Sequence, residues 1–374
     1  MIPHSTVTVR LFRQEDRDTV FRLYGEVFGE AALHWFEKRW HWQFLNTPAA
    51  KIVPMLSWVA EHEGTIVGFL GAFPTRIKVI DQEFVIYHDC DLIVAPHMRR
   101  RGVAKRLVQA YGESASPLLS CMGYAPLNGR IRQHLGYHPA HLILQALRPL
   151  QMTGIFQYLL ANSRIPRVIR HPPMSWIISA SAAGLGTAVS LLNRILLPPS
   201  SLTVQVEPVL FAGDEFDHLW KTLRQQFPIA VVRDKAFVQW RFIDDPVFTN
   251  TVLVARQRDG TLKGYLAART SQTGAMRTGR ILDIFAPLDV SDVTHALIRS
   301  VLELFNNERA DIASCVGIMP ALRQYIHPYF YLTPKKYNQP AYLLWRGNPE
   351  LDAIIYDPMQ WHVTQADSDI GFTP

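Results

Sequence analysis

Between Gln14 and Phe28 the apolar residues Val20, Leu23, Tyr24 and Val27 recur at helical spacing, which predicts an amphipathic helix. The period then shortens. Leu56–Ala60 and Ile66–Ala72 are β-rich apolar runs, and His62-Glu63-Gly64 between them is a hairpin signal. Phe84–Val94 reads as a further strand and Leu118–Met122 as a short buried one. Between these two, Val103–Tyr111 reads as a helix with Val103, Leu107, Ala110 and Tyr111 on one face. Helix, hairpin, then strand–helix–strand predicts an α/β (α+β) unit, a mixed sheet flanked by helices.

The pattern occurs twice. Trp42-Gln43-Phe44-Leu45-Asn46-Thr47-Pro48 matches Trp240-Arg241-Phe242-Ile243-Asp244-Asp245-Pro246, with Trp and Pro both recurring 198 residues later. The runs Gly64–Leu70 and Gly260–Leu266 match, as do Asp91–Pro96 and Asp283–Pro287, and Ser120–Pro126 and Ser314–Pro320. Four collinear matches predict a duplicated domain, at 1–150 and 203–346, with a linker at 151–202 and a tail at 347–374.

The linker differs in kind, because 22 residues from Pro172 to Asn193 carry no charge. That is long enough to span a bilayer. Its serines, its threonine and Gly184-Leu185-Gly186 dilute it, and one crossing would part the two copies. The expectation is a buried linker helix pair. The alternative is an in-plane anchor giving peripheral membrane contact through 172–197. The net charge of +6 has one dense basic run, Arg99-Arg100-Arg101, so nucleic acid is not an expected partner. Cys90, Cys121 and Cys315 have no zinc spacing and are too few for a disulfide framework, which fits the cytoplasm and no metal.

The most specific segment is Asp91 to Leu107. A strand ends at Pro96, a basic turn follows, and a helix starts near Gly102. Free amides at a helix N-terminus bind phosphate, Gly102 allows close approach, and Arg99 to Arg101 add charge. Arg99-x-x-Gly102-x-Ala104 after a strand ending in V-x-P resembles the pyrophosphate motif of the GCN5-related N-acetyltransferase (GNAT) superfamily, R/Q-x-x-G-x-G/A. Leu135-Gly136-Tyr137 is similar to that family's late L-G-F/Y. The resemblance covers residues 7–147. It implies acetyl-CoA as co-substrate, its pyrophosphate on the amides of Arg101, Gly102, Val103 and Ala104 beside Arg99 and Arg100. It also implies a pantetheine arm paired with the backbone of Leu92, Ile93 and Val94. At the same place the second copy has Leu288-Asp289-Val290-Ser291-Asp292, with no glycine or arginine, so it is expected not to bind CoA. One competent and one degenerate copy resembles the enhanced-intracellular-survival type of acetyltransferase.

Acyl transfer needs a neutral amine, hence a base. His88, which by period 2 shares a face with Cys90, Leu92 and Val94, is the candidate base. In the family a Tyr often stands where this chain has Arg132, so Tyr124 and Tyr137 are candidate acids. Cys121 is a conceivable thiol nucleophile, although its counterpart Cys315 argues for a core role. Trp35, Trp40 and Trp42 read as core and acceptor-side walls. The tail could fold back and bring Asp367 or Asp369 to an amine. The expected activity is acyl-CoA-dependent N-acyl transfer to a small-molecule primary amine, an amino sugar or cell-envelope precursor. The alternatives are a non-catalytic acyl-CoA-binding or membrane-associated scaffold, and an aminoacyl-tRNA-dependent transferase of the peptidoglycan-bridge type.

Overall fold

In the computed structural model the first apolar stripe forms helix α1 (Arg17–Phe28), burying Val20, Leu23 and Tyr24. The structure describes residues 7–114, 116–121, 126–140, 145–151, 203–317, 320–332 and 341–369, with 154, 155, 158, 195, 197 and 201 between them. A second helix, α2 (Glu30–Phe44), was hidden among the tryptophans. Phe36, Trp40 and Phe44 repeat every four residues and so stack along one side, with ring centroids 5.4 and 4.7 Å apart. Trp40 is therefore core, as expected.

The first half continues as the meander β1 (Thr8–Leu11), β2 (Trp58–His62), β3 (Thr65–Val79) and β4 (Gln82–Val94). Helix α3 (Val103–Gly112) then crosses to β5 (Leu118–Cys121), which lies parallel to β4. After α4 (Pro126–His134) come β6 (His138–Ala140) and β7 (Gln145–Pro149). The second half repeats the order. Its elements are β8 (Val204–Val209), α5 (Glu215–Leu223), β9 (Ile229–Val231), the short α6 (Lys235–Val238), β10 (Thr251–Gln257), β11 (Leu262–Thr273) and β12 (Met276–Phe285). They are followed by α7 (Ser291–Asn307), β13 (Ile312–Val316), α8 (Pro320–Ile326), β14 (Tyr331–Leu332) and β15 (Ala341–Trp345). A last short strand, β16 (Trp361–His362), belongs to the tail.

The strands form two sheets, in the orders β1-β2-β3-β4-β5-β15-β6 and β14-β7-β13-β12-β11-β10-β8. Each half thus lends one strand to the other. β15 fits between β5 and β6, with Leu343 opposite both Ser120 and His138. β7 fits between β13 and β14, with Leu147 opposite both Ser314 and Tyr331. Boundaries at 150 and 346 divide the sequence but not the sheets. β9 also pairs with the far end of β3, Ile77 opposite Val231.

The repeat has a physical centre. The Trp42 indole N–H donates to the Trp240 carbonyl at 2.6 Å, and the Trp240 indole returns the bond to the Trp42 carbonyl at 2.9 Å. The two rings stack with centroids 5.1 Å apart. Two equivalent residues exchanging the same bond is what a two-fold axis between similar halves produces. Trp42 is thus an interface residue. Most of the expected linker at 151–202, and of 172–197 within it, lies outside the described residues. Among the described residues no helix is long and apolar enough to cross a membrane.

Candidate active site

β4 touches β5 only at Tyr87 opposite Leu119 and His88 opposite Ser120. The pairing stops there because β5 runs only to Cys121, and among the described residues 89–94 have β3 on one side and no strand on the other, a fork in the described sheet. The backbone of Leu92, Ile93 and Val94 lies along this fork. β4 also bulges there, because Phe69 pairs with Ile93 but Gly71 pairs with Cys90, and Asp91 takes φ +51°. The bulge changes the parity of the strand. Ile93, not Leu92 or Val94, returns to the face of His88 and Cys90, which corrects the simple alternation expected for this run.

The fork opens toward the start of α3. Gly102 is its N-cap in the left-handed region, φ +79°, a conformation a side chain would strain. Arg100 is also left-handed, at φ +63°, so the turn is tightly coiled. Arg99, Arg100, Arg101 and Gly102 are exposed, while Val103 is buried and seats the helix. The first-turn amides of α3 and its dipole thus follow directly on three exposed arginines. These residues fit an anionic, phosphate-bearing ligand as the motif implied.

Behind the bulge lies a polar cluster. Arg39 of α2 grips the Asp91 carboxylate with both terminal nitrogens, at 2.7 and 3.2 Å, and also donates to the Tyr24 hydroxyl at 3.3 Å. Gln43 donates to Asp91 at 3.2 Å and to the Cys90 sulfur at 2.9 Å. On the other face Asp89 pairs with Arg132 of α4, whose guanidinium packs on the rings of Tyr111 and Tyr137. The arginine at the family's tyrosine position thus holds a buried carboxylate. Arg39 was missed in sequence. The available signal was a pair of aspartates inside an apolar strand, which need cations when buried.

The candidate acid–base residues fare unequally. His88 is buried against the Phe73 ring, 5.3 Å away. Burial, then the charges of Arg132 and Arg241, push its imidazole down to about 3. So weak a base cannot hold a proton taken from an ammonium at neutral pH, which argues against the assignment. Tyr137 is buried beside α3, with its hydroxyl 3.5 Å from where a side chain at Gly112 would begin, a packing position. Tyr124 lies outside the described residues. Burial, then Asp91, raises the Cys90 thiol well above its usual range, so it is no ready nucleophile. Trp35 stacks on Phe248 of the second half, with centroids 6.2 Å apart.

The second half has the same fork, filled by its own chain. β12 pairs with β13 from Thr278 to Ile281 and no further. Beyond it, Thr364 bridges to Gly317, and the turn Gln365–Asp367 lies against β12. Gly317 sits at φ +82°, where a side chain would start 2.3 Å from the Val363 carbonyl, so the tail's approach requires glycine. Arg233 ties the plug together, donating to Asp283 at 3.1 Å and to Asp367 at 2.7 Å, all three fully buried. Burial pushes the Asp283 carboxyl up, but Arg233 outweighs it and leaves it below the usual range. Asp367 is therefore structural. At the start of α7, Asp289 accepts from Gln226 and Asp292 from Thr203, where the first half has arginines.

Residues 55–139, which include the fork and α3, match the model of the acetyltransferase (GNAT) domain family. No curated protein matches the chain. Among solved structures, a probable N-acyltransferase from Enterococcus faecalis V583 superposes with a TM-score of 0.59 at 10% identity, over 91% of this chain and 72% of that one. A GCN5-related N-acetyltransferase from Anabaena variabilis gives 0.59 at 13%, over 91% and 73%. The Saccharomyces cerevisiae N-myristoyltransferase with bound myristoyl-CoA gives 0.53 at 13%, over 92% and 80%. Residues 55–139 are thus similar to the acetyltransferase (GNAT) domain, and the chain as a whole shares the fold of these GCN5-related acetyltransferases, with two GNAT-like sheets.

Proposed function

We propose that the chain is an acyl-CoA-dependent N-acyltransferase that acylates a primary amine of a small molecule, with the donor site in the first half. The observation that carries this is the β4 edge, without a partner strand among the described residues, leading to the Gly102 helix start, where the second half lays its own tail against β12. The donor would supply a thioester-activated acyl group. The amides of Arg101, Gly102, Val103 and Ala104 would hold its pyrophosphate, with Arg99 to Arg101 neutralising it. Leu92, Ile93 and Val94 would pair with its amide-bearing arm, as an added strand pairs with a free edge. A second reading, acyl-CoA binding without turnover, is favoured by Arg132 standing where a proton donor would. Calorimetric titration of acetyl-CoA tests the donor site: micromolar binding to the wild type, lost in Arg99→Ala/Gly102→Glu, is the expected outcome. No binding to the wild type would sink both readings. Release of acetylated amine from a panel of primary amines separates the first from the second.

A further inference from the structure

We infer that Arg39 is a positioning residue for the donor site, a role that rests on the acyltransferase reading above. From α2 it pins Asp91 in the left-handed turn of the β4 bulge, and so sets which backbone groups of residues 92–94 face the donor. Asp91 is the strained point. Its φ of +51° suits glycine, and other residues adopt it only at a cost. A side-chain-bearing residue stays in such a turn where its surroundings hold it there. Here the hold is specific. Arg39 donates to the Asp91 carboxylate at 2.7 and 3.2 Å, and Gln43, one helical turn on, donates to it at 3.2 Å. Arg39 also donates to the Gln43 side-chain oxygen, which keeps both side chains on one target. Arg39 and Gln43 are both buried, and a planar guanidinium gripping with two nitrogens fixes direction as well as distance.

The turn at Asp91 decides the parity of the edge. Backbone N–H and C=O groups of successive residues in an antiparallel strand point alternately to its two sides. The Ala95 N–H donates to the Val67 carbonyl of β3 at 2.9 Å, so Ile93, opposite Phe69, also faces β3. Leu92 and Val94 therefore turn their backbone groups to the edge without a described partner strand. Cys90 lies opposite Gly71, two residues along β3 from Phe69, and faces β3 as well. Regular alternation from Cys90 would present Asp91 and Ile93 at that edge instead. The second half holds the helix that holds the bulge. Trp35, one turn before Arg39, stacks on Phe248, and Trp42, just after it, exchanges hydrogen bonds with Trp240. The second half has no such clamp of its own. Phe237 stands three residues before Trp240, as Arg39 stands before Trp42, and Asp283, the counterpart of Asp91, is not left-handed. The clamp thus goes with the Gly102 helix start.

The test uses the full chain and two double variants, Arg39→Met/Asp91→Gly and Arg39→Met/Asp91→Ala. Both remove the ion pair whole, so neither buries a lone charge, and they differ by one methyl group. A merely structural part for the pair would affect them alike. Glycine takes the left-handed turn unaided, whereas alanine resists it. In calorimetry the glycine variant should bind acetyl-CoA within about threefold of the wild type, and the alanine variant should bind about tenfold more weakly. Crystal structures of the ligand-free variants give a second readout. Ile93 should stay opposite Phe69 with glycine at 91 and shift by one residue with alanine. Equal affinities in the two variants would overturn the assignment, and so would unshifted pairing in the alanine variant. Failure of the wild type to bind acetyl-CoA would overturn the donor site instead, and the pairing in the two crystal structures would still decide whether Arg39 pins the bulge.

Discussion

Beyond His88 the edge of β4, without a described partner strand, leads to the exposed arginines that precede α3, whereas beyond Ile281 the matching edge of β12 meets Thr364 and a buried Arg233. Both forks lie where a parallel strand pairing stops, but their chemistry is opposite. In the first, positive charge is exposed at the mouth. In the second, the cation is sealed inside and consumed by two carboxylates of the protein itself. A parallel strand pair that diverges must be filled by something, since bare backbone groups are costly to bury. Among the described residues one half leaves that edge open and the other fills it with its own tail.

The contrast breaks most sharply at Arg233. Arg233→Met would leave Asp283 and Asp367 facing each other without a cation, and about 3–5 kcal/mol of stability should be lost in chemical denaturation. A loss under about 1 kcal/mol would mean that the plug is not a structural fill. Next comes the mouth of the first fork. Gly102→Glu adds strain and negative charge, and should weaken acetyl-CoA by roughly 100-fold in calorimetry. Asp289→Ala in the second half should change nothing, and an effect there would return donor binding to the degenerate unit.

The third expectation concerns two buried histidines, His88 in one half and His362 in the other. Each is held at about 3, by burial first and arginine charge second. Their native-state values lie below that of the unfolded chain, so protons favour unfolding as pH falls from about 6.5 towards 3. Stability contributed by keeping them neutral is complete above this window and lost within it. Replacing either by Phe should shrink the difference in stability between pH 7 and pH 4.5 by about 2 kcal/mol. Equal shrinkage in both variants would extend the symmetry to this pair. Smallest is the centre of the repeat, where Trp42→Phe and Trp240→Phe should each cost about 1 kcal/mol, the worth of one hydrogen bond. Unequal costs would show that the two halves lean on that contact differently.

Much of this was legible in the chain. The hairpin, the crossover helix and the repeat came from periodicity and spacing, because apolar faces must be buried whatever surrounds them. The Gly102 turn was legible for a related reason, since its residue types serve one local geometry. The α2 helix escaped because aromatic residues at Trp35, Phe36, Trp40, Trp42 and Phe44 cover more than one side of it. Strand exchange escaped for a different reason. Nothing in Gln145–Pro149 or Ala341–Trp345 records which sheet edge each segment joins. His88 looked like a base because its type suits the task. Its environment, burial first and then Arg132 and Arg241 from distant segments, works against that role.

The exchange of β7 and β15 gives one polypeptide the topology of a domain-swapped dimer. In a true dimer such an arrangement forms by a second-order reaction and dissolves on dilution. Here the covalent connection makes the exchange intramolecular, so it holds at any protein concentration. It also makes the halves inseparable. A fragment ending before residue 203 would expose β5 and β7 as unpaired edges, open to pairing with other chains. One half can therefore fill its own fork from the tail while still supplying a strand to the other.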